Sequence, residues 1–217
     1  MSMNKSLTDN EYILYPGVTL GKNVIIEPYV ILGIRDRFHP EKETIIGDDS
    51  FIGSRSTIYQ NVKSGRGLDV SDQSTIFYDN KIGDFCRIGP KAIIKNGCEI
   101  DDYVRINAYV FLERVVIKSN VFIGPGTVFT DDMHPPCPRH AECRPKTIVE
   151  SYVSIGASVT IAPGIKIGHH SQIYAGAVVI DDVEPYSVIA GVPGKRIKDS
   201  RNLVCGKNYY SRPFSWW

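Results

Sequence analysis

One stretch of the 217-residue chain gathers the side chains best suited to proton transfer or metal binding: TDDMHPPCPRHAECRPKTI, residues 130–148. His134 lies in its Met-His-Pro-Pro segment. An imidazole titrates near neutral pH, so it can take a proton from a reacting group and give it back. A histidine in a loop can also simply cap that loop. His134, Cys137, His140 and Cys143 form the spacing H-x2-C-x2-H-x2-C, and these residue types suit zinc. Prolines at 135, 136 and 138 favour an extended chain in which every third residue falls on one face. Residues three apart would then stand roughly 9 Å from one another, whereas zinc ligands lie about 2.0–2.3 Å from the metal. The spacing argues against a metal site and the expectation is that no metal is required, with a turn that gathers some of the four side chains as the alternative.

Two shorter stretches carry basic residues: 34–44 (IRDRFHPEKET) holds Arg35, Arg37, His39 and Lys42, and 64–69 (SGRGLD) holds Arg66. Both read as breaks in an otherwise regular pattern. An aliphatic residue recurs every six positions at Leu20, Ile26 and Leu32, then at Ile46, Ile52 and Ile58, then from Val70 to Leu112. The spacing loses one residue before Ile117, Ile123 and Phe129, and returns after the long stretch from Val149 to Val179. Four positions after the aliphatic residue comes a small or β-branched one, as at Val24, Ser50, Cys86, Ala92, Thr127 and Ala177. A helix needs apolar residues at i, i+3, i+4 and i+7, and a hairpin strand needs longer alternating runs, so neither fits. The pattern is met by a short strand, a sharp corner and another short strand, three sides closing one coil. Large aliphatic side chains fill the interior, small ones fit near the corners, and Gly, Asp or Asn tolerates the turn. Stacked coils pair as parallel strands. The prediction is an all-β solenoid from about Leu20 to Ile180, with Cys86 and Cys98 as compact inward residues.

The segments LGKNVIIEPYVILG, IGDFCRIGPKAIIKNG, IGASVTIAPGIKIGHHSQIYAGAVV and VIAGVPGKRIK resemble the hexapeptide-repeat acyltransferases, the sugar and nucleotide-sugar acetyltransferases among them. The resemblance covers nearly the whole chain. It implies a left-handed parallel β-helix, against the usual right-handed crossover. It also implies a homotrimer with active sites between subunits and acetyl-coenzyme A as donor. In the family's sugar O-acetyltransferases, a His-Pro segment enters a loop at the corresponding place, and its histidine takes the proton of the acceptor hydroxyl. The matching residue is His134. Acyl transfer needs such a base, because a sugar hydroxyl is a poor nucleophile and a protonated amine is none. Glu113 and Asn107, on earlier coils, are the candidates to orient it, although each also fits an ordinary corner position.

The resemblance further places the pantetheine arm of coenzyme A along Gly156, Ala157, Ala175 and Gly176, whose small side chains allow close approach to the backbone. Lys195 and Arg196, followed by Lys198, would meet the phosphates. Where the family often has Thr-Lys-Asp after the last coil, this chain has Ile180-Asp181-Asp182, and Asp181 would repel a phosphate. The repeat begins almost at once, at Tyr15-Pro16-Gly17, as in many nucleotide-sugar N-acetyltransferases of surface-polysaccharide pathways. VFTDD also resembles their segment at the foot of the loop, with Asp where they often have Asn. N-acetylation of a nucleotide-linked amino sugar is thereby implied ahead of O-acetylation of a sugar, with Arg35, Arg37 and Arg66 available to a nucleotide diphosphate. A γ-type carbonic anhydrase shares this fold but needs three zinc-binding histidines on successive coils. Of histidines 39, 134, 140, 169 and 170, only the last two sit on a coil. A non-catalytic scaffold is the remaining alternative, because fold does not dictate function.

The 25 basic residues nearly cancel the 24 acidic ones, so no overall field favours a nucleic acid or an anionic membrane. No apolar run approaches the roughly 20 residues that span a bilayer, and the polar start MSMNKSLTDNEY lacks the core of a secretion signal. An odd count of five cysteines does not suggest a disulfide framework. The expectation is a soluble, cytoplasmic protein with an N-terminal arm (1–15), a β-helix domain (16–194) and a C-terminal segment (195–217) forming a short helix or tail.

Overall fold

In the computed structural model, which describes residues 11–35, 42–135, 137–139 and 142–210, short strands alternate with sharp corners throughout. Among the described residues they build three sheets. Sheet A runs from Ile13–Leu14 to Val178–Val179, and sheet B from Val18–Leu20 to Lys166–Ile167. Sheet C runs from Ile25–Ile26 to Ser187–Ala190 and is closed by Lys195–Asp199. Successive coils pair in parallel at a spacing of three six-residue repeats, as Thr75 with Ile93, Ile82 with Ile100 and Arg87 with Arg105. This is the all-β helix that the six-residue pattern requires.

Two of every six side chains point inward. The aliphatic series is fully buried at Ile52, Ile88, Leu112, Ile155 and Ile161, and the small series at Ser56, Ala92, Cys98 and Ala177. Inward hydroxyls are satisfied by corner carbonyls: Ser74 Oγ donates to Ser71 O at 2.8 Å and Thr127 Oγ1 to Gly156 O at 2.9 Å. Most corners hold one residue in the left-handed region. Between sheets B and C that position is filled by Asn23, Asp49 and Gly67 in the first three coils, and then by Phe85, Tyr103, Asn120, Tyr152, His170 and Tyr186, with φ from 53° to 62°.

The breaks differ from their sequence reading in one case. Residues 64–69 do not interrupt the helix: Val62 pairs with Asn80 and Asp69 with Arg87, each at the regular coil spacing. Ser64 takes an aliphatic slot opposite Ile82, and buried Leu68 fills a small-residue slot, so composition hides an intact coil. The other two are real insertions. Val18 pairs with Thr44 across the first and Val116 with Ile148 across the second, and both pairings overshoot the regular spacing. The one-residue contraction shows in the pairing of Arg105 with Phe122.

The segment expected as a C-terminal helix or tail instead begins as the strand Lys195–Asp199. It folds back antiparallel on Ser187–Ala190 and ends in a 3-10 turn, Ser200–Asn202, capped by the Asp199 side chain. Arg37, His39, His140 and residues 1–10 and 211–217 lie outside the described residues. Among those described, no helix is long and apolar enough to cross a membrane.

Candidate active site

The long insertion leaves sheet A after Val128–Phe129 and returns at Thr147–Val149 of sheet B, so it projects from the A–B corner. Its base is fastened to the coils. Buried Asp131 lies 3.2 Å from Arg144 Nε, and Arg114 Nη2 donates to the Arg144 carbonyl at 3.3 Å. On the returning side, Lys146 Nζ meets Glu99 Oε1 at 2.6 Å and holds that carboxyl below its usual range. Thr130 Oγ1 donates to Ile161 O at 3.0 Å on the departing side. Both ends of the loop are therefore fixed, while Met133, His134 and Pro135 in its middle are exposed.

His134 stands on that exposed middle. Its backbone N–H donates to Asp132 Oδ1 at 2.8 Å, and its carbonyl accepts from Cys137 N at 2.7 Å. These bonds fix the turn and leave the imidazole without a hydrogen-bond partner among the described residues. Glu113 is half-buried on the coil below, at the same A–B corner. Burial raises its carboxyl pKa first, and the neighbouring Asp131 charge raises it further, against Lys95, Arg144 and Arg114. Asn107 lies at a different corner, between sheets C and A, where its Nδ2 donates to Ile123 O at 2.8 Å. Within one chain the structure thus brings Glu113 to the foot of the His134 loop and keeps Asn107 on the far margin of sheet A.

The expected donor positions share the C–A corner with Asn107. Gly156 and Ala157 follow Ser154–Ile155, and Ala175 and Gly176 follow Gln172–Ile173 one coil on, with Gly176 N donating to Ala157 O at 2.9 Å. The two glycines differ. A Cβ on Gly156 would stand 2.5 Å from Ala175 N, so coil stacking itself demands glycine there. Gly176, at φ +73°, has open space where a Cβ would go. Lys195 and Arg196 are occupied: Lys195 Nζ reaches Asp181 Oδ2 at 3.5 Å and Arg196 Nη2 reaches Asp199 Oδ2 at 3.3 Å. The first pair is exposed on both sides and so binds weakly.

Of the basic residues on the breaks, Lys42 pairs with Asp79 at 3.6 Å, and Arg66 lies over the Phe85 ring at the B–C corner, away from the loop. Among the described residues no three His, Cys, Asp or Glu side chains gather as a metal site. His169 and His170 approach with Nδ1 atoms 3.0 Å apart. Sequence reasoning missed the Asp131–Arg144–Arg114 fastening, whose members span a loop of no fixed period. It also missed the ring column at the B–C corner, which had a signal. Its aromatic residues all fall three positions after an aliphatic one, in phase with the repeat.

The description "Bacterial transferase hexapeptide (six repeats)" matches residues 81–114, and "Hexapeptide repeat of succinyl-transferase" matches 43–76 and 146–180. The bifunctional protein GlmU of Listeria monocytogenes is 27% identical over 183 residues, covering 76% of this chain and 36% of that protein. GlmU of Geotalea uraniireducens is 29% identical over 195 residues, covering 82% and 39%. The chain therefore spans well under half the length of these relatives. Among solved structures, a UDP-N-acetylglucosamine acyltransferase from Campylobacter jejuni superposes with a TM-score of 0.69 at 16% identity, covering 88% of this chain and 74% of that one. The polySia-specific acetyltransferase NeuO gives 0.58 at 20% identity, covering 84% and 80%. These likenesses establish the fold as the left-handed parallel β-helix.

Proposed function

For a hexapeptide-repeat chain wound in this way, we propose acetyl transfer from acetyl-coenzyme A to a sugar, N-acetylation of a nucleotide-linked amino sugar, with His134 as general base. The observation that carries the reading is an exposed imidazole on a loop whose two ends are held by ion pairs and whose own turn is hydrogen-bonded. The names of two matched structures, a UDP-N-acetylglucosamine acyltransferase and a polySia-specific acetyltransferase, support its coarser part, acyl transfer to a sugar. In the reaction, His134 takes a proton from the acceptor nitrogen as that nitrogen attacks the thioester carbonyl carbon. The tetrahedral intermediate then expels the coenzyme A thiolate, which recovers the proton from the imidazolium.

We further read the active unit as a homotrimer that packs through sheet A. The outward residues of that sheet, Ile13, Ile31, Thr57, Thr75, Ile93, Phe111, Val128, Thr160 and Val178, include no charge. The same positions of sheet B include Lys63, Lys81, Glu99 and Lys166. A face of this kind covered by a second copy brings the A–B corner of one subunit beside the C–A corner of the next. His134 then meets a neighbour's Asn107, whose Oδ1 is available to orient the ring, while Gly176 of that corner receives the pantetheine arm. The deciding experiment is a coupled thiol-release assay over nucleotide-linked amino sugars and free sugars. Release with the amino sugars supports the reading; release only with hydroxyl acceptors moves it to O-acetylation, and no release with any acceptor overturns it.

A further inference from the structure

The B–C corner carries a column of rings with one rung missing. Backbone N–H groups link each rung to the coil before it: Tyr103 to Asp84, Asn120 to Asp102, Tyr152 to Ser119, His170 to Ser151 and Tyr186 to His169. Phe85 stacks on Tyr103 with centroids 5.4 Å apart, Tyr152 on His170 at 4.8 Å, and His170 on Tyr186 at 5.2 Å. Guanidinium groups close both ends, Arg66 over Phe85 and Arg201 over Tyr186, each at 4.7 Å. Between Tyr103 and Tyr152 the rung is Asn120. Two rungs of about 4.8 Å place those rings about 9.6 Å apart, which accommodates one ring at the stacking distance the column already shows.

The missing rung opens onto a groove of about 340 Å³ lined by Phe85, Arg87, Tyr103, Arg105, Asn120 and Phe122. Its polar groups are ready for a ligand. The Asn120 side-chain amide has no hydrogen-bond partner among the described residues, and it offers two donors and an acceptor to a ring edge. Arg87 is spent on Asp69 at 3.0 Å, whereas Arg105 makes no ion pair among the described residues. A guanidinium beside a stacking platform suits a phosphate. We propose that this corner binds a nucleotide: the base completes the column at Asn120 and a phosphate meets Arg105. The site is separate from the His134 loop, which projects from the A–B corner, and it does not depend on the acyl-transfer reading.

The same chemistry is offered by a free nucleotide and by the nucleotide part of coenzyme A. The test is calorimetric titration of the full chain with UDP, ADP, uridine and coenzyme A, on the wild type, Asn120→Tyr and His134→Ala. Tyrosine fits the corner, because Tyr103, Tyr152 and Tyr186 already hold that conformation. Asn120→Tyr therefore completes the column from within and raises the melting temperature, which shows that the variant is folded. The expected result is saturable binding of UDP or ADP to wild type and His134→Ala, weakened tenfold or more by Asn120→Tyr and by loss of the phosphate in uridine. Coenzyme A binding that is equally sensitive to Asn120→Tyr assigns the ring to the donor; insensitivity assigns the corner to a free nucleotide. Failure of wild type to bind either nucleotide, or unchanged binding by Asn120→Tyr, overturns the proposal.

Discussion

At the scale of single residues, environment separates groups of the same type. His134 is exposed and its imidazole makes no hydrogen bond among the described residues, so on the proposed mechanism His134→Ala should lower turnover by about two orders of magnitude or more. Its melting curve should match that of the wild type, and near-normal turnover would remove His134 from the mechanism. The cysteines divide in the same way. Burial pushes the Cys86 and Cys98 thiols up to about 11, whereas backbone N–H groups around Cys205, that of Lys207 first, lower its pKa. Native alkylation at pH 8 followed by mass mapping should label Cys205 and leave Cys86 and Cys98 unmodified until the chain unfolds. The sequence revealed the two buried thiols because they fall in phase with the repeat. It was silent on Cys205, whose environment is local backbone geometry. Glu113 carries a pH signature. Its folded pKa is raised, so the folded state holds the proton more tightly, and stability falls as pH rises from the unfolded to the folded value. Urea melts of Glu113→Gln should match wild type near pH 4 and exceed it at pH 7; identical curves at both would show that burial of the carboxyl does not strain the fold.

At the scale of elements, the coil is specified by a period and the loop by contacts that have none. Any in-phase aliphatic residue will do inside, which is why a simple six-residue count located nearly every strand. The same count misread 64–69, because Ser64 and Leu68 occupy each other's usual slots while the backbone register continues unchanged. The corner glycines were not separated by residue type alone. Gly156 follows its aliphatic residue by one position and Gly176 by three, and only the first is squeezed by the next coil. Gly156→Ala should therefore destabilise the protein by about 1–3 kcal/mol through backbone displacement. Gly176→Ala should cost about 1–2 kcal/mol, from the left-handed conformation alone, and should raise KM for acetyl-coenzyme A if the arm passes there. Chemical denaturation of the two variants, read beside their donor saturation curves, separates a stacking glycine from a binding one. Equal KM values for Gly176→Ala and wild type would move the donor off this corner.

At the scale of the whole molecule, stability is a sum over neighbouring coils, and function is distributed over the prism's edges. The A–B corner presents His134, the C–A corner presents Asn107 and Gly176, and the uncharged outer face of sheet A separates them. On the proposed reading, one chain does not bring His134 and Asn107 together across that face, and a cyclic assembly would. A charge placed on the face, as in Ile93→Glu, should convert the assembly to monomers in sedimentation and abolish transfer together with it. The sharper consequence concerns mixing. His134→Ala and Asn107→Ala subunits, each nearly inactive alone, are co-expressed in equal amounts. A cleft is then intact when an Asn107→Ala subunit supplies His134 and a His134→Ala subunit supplies Asn107, which random assembly allows in about a quarter of clefts. Recovery of about a quarter of wild-type turnover would place the two residues on different subunits of one site. Turnover no higher than that of the separate variants would place them on the same chain, and sheet A would lose its role in building the active site.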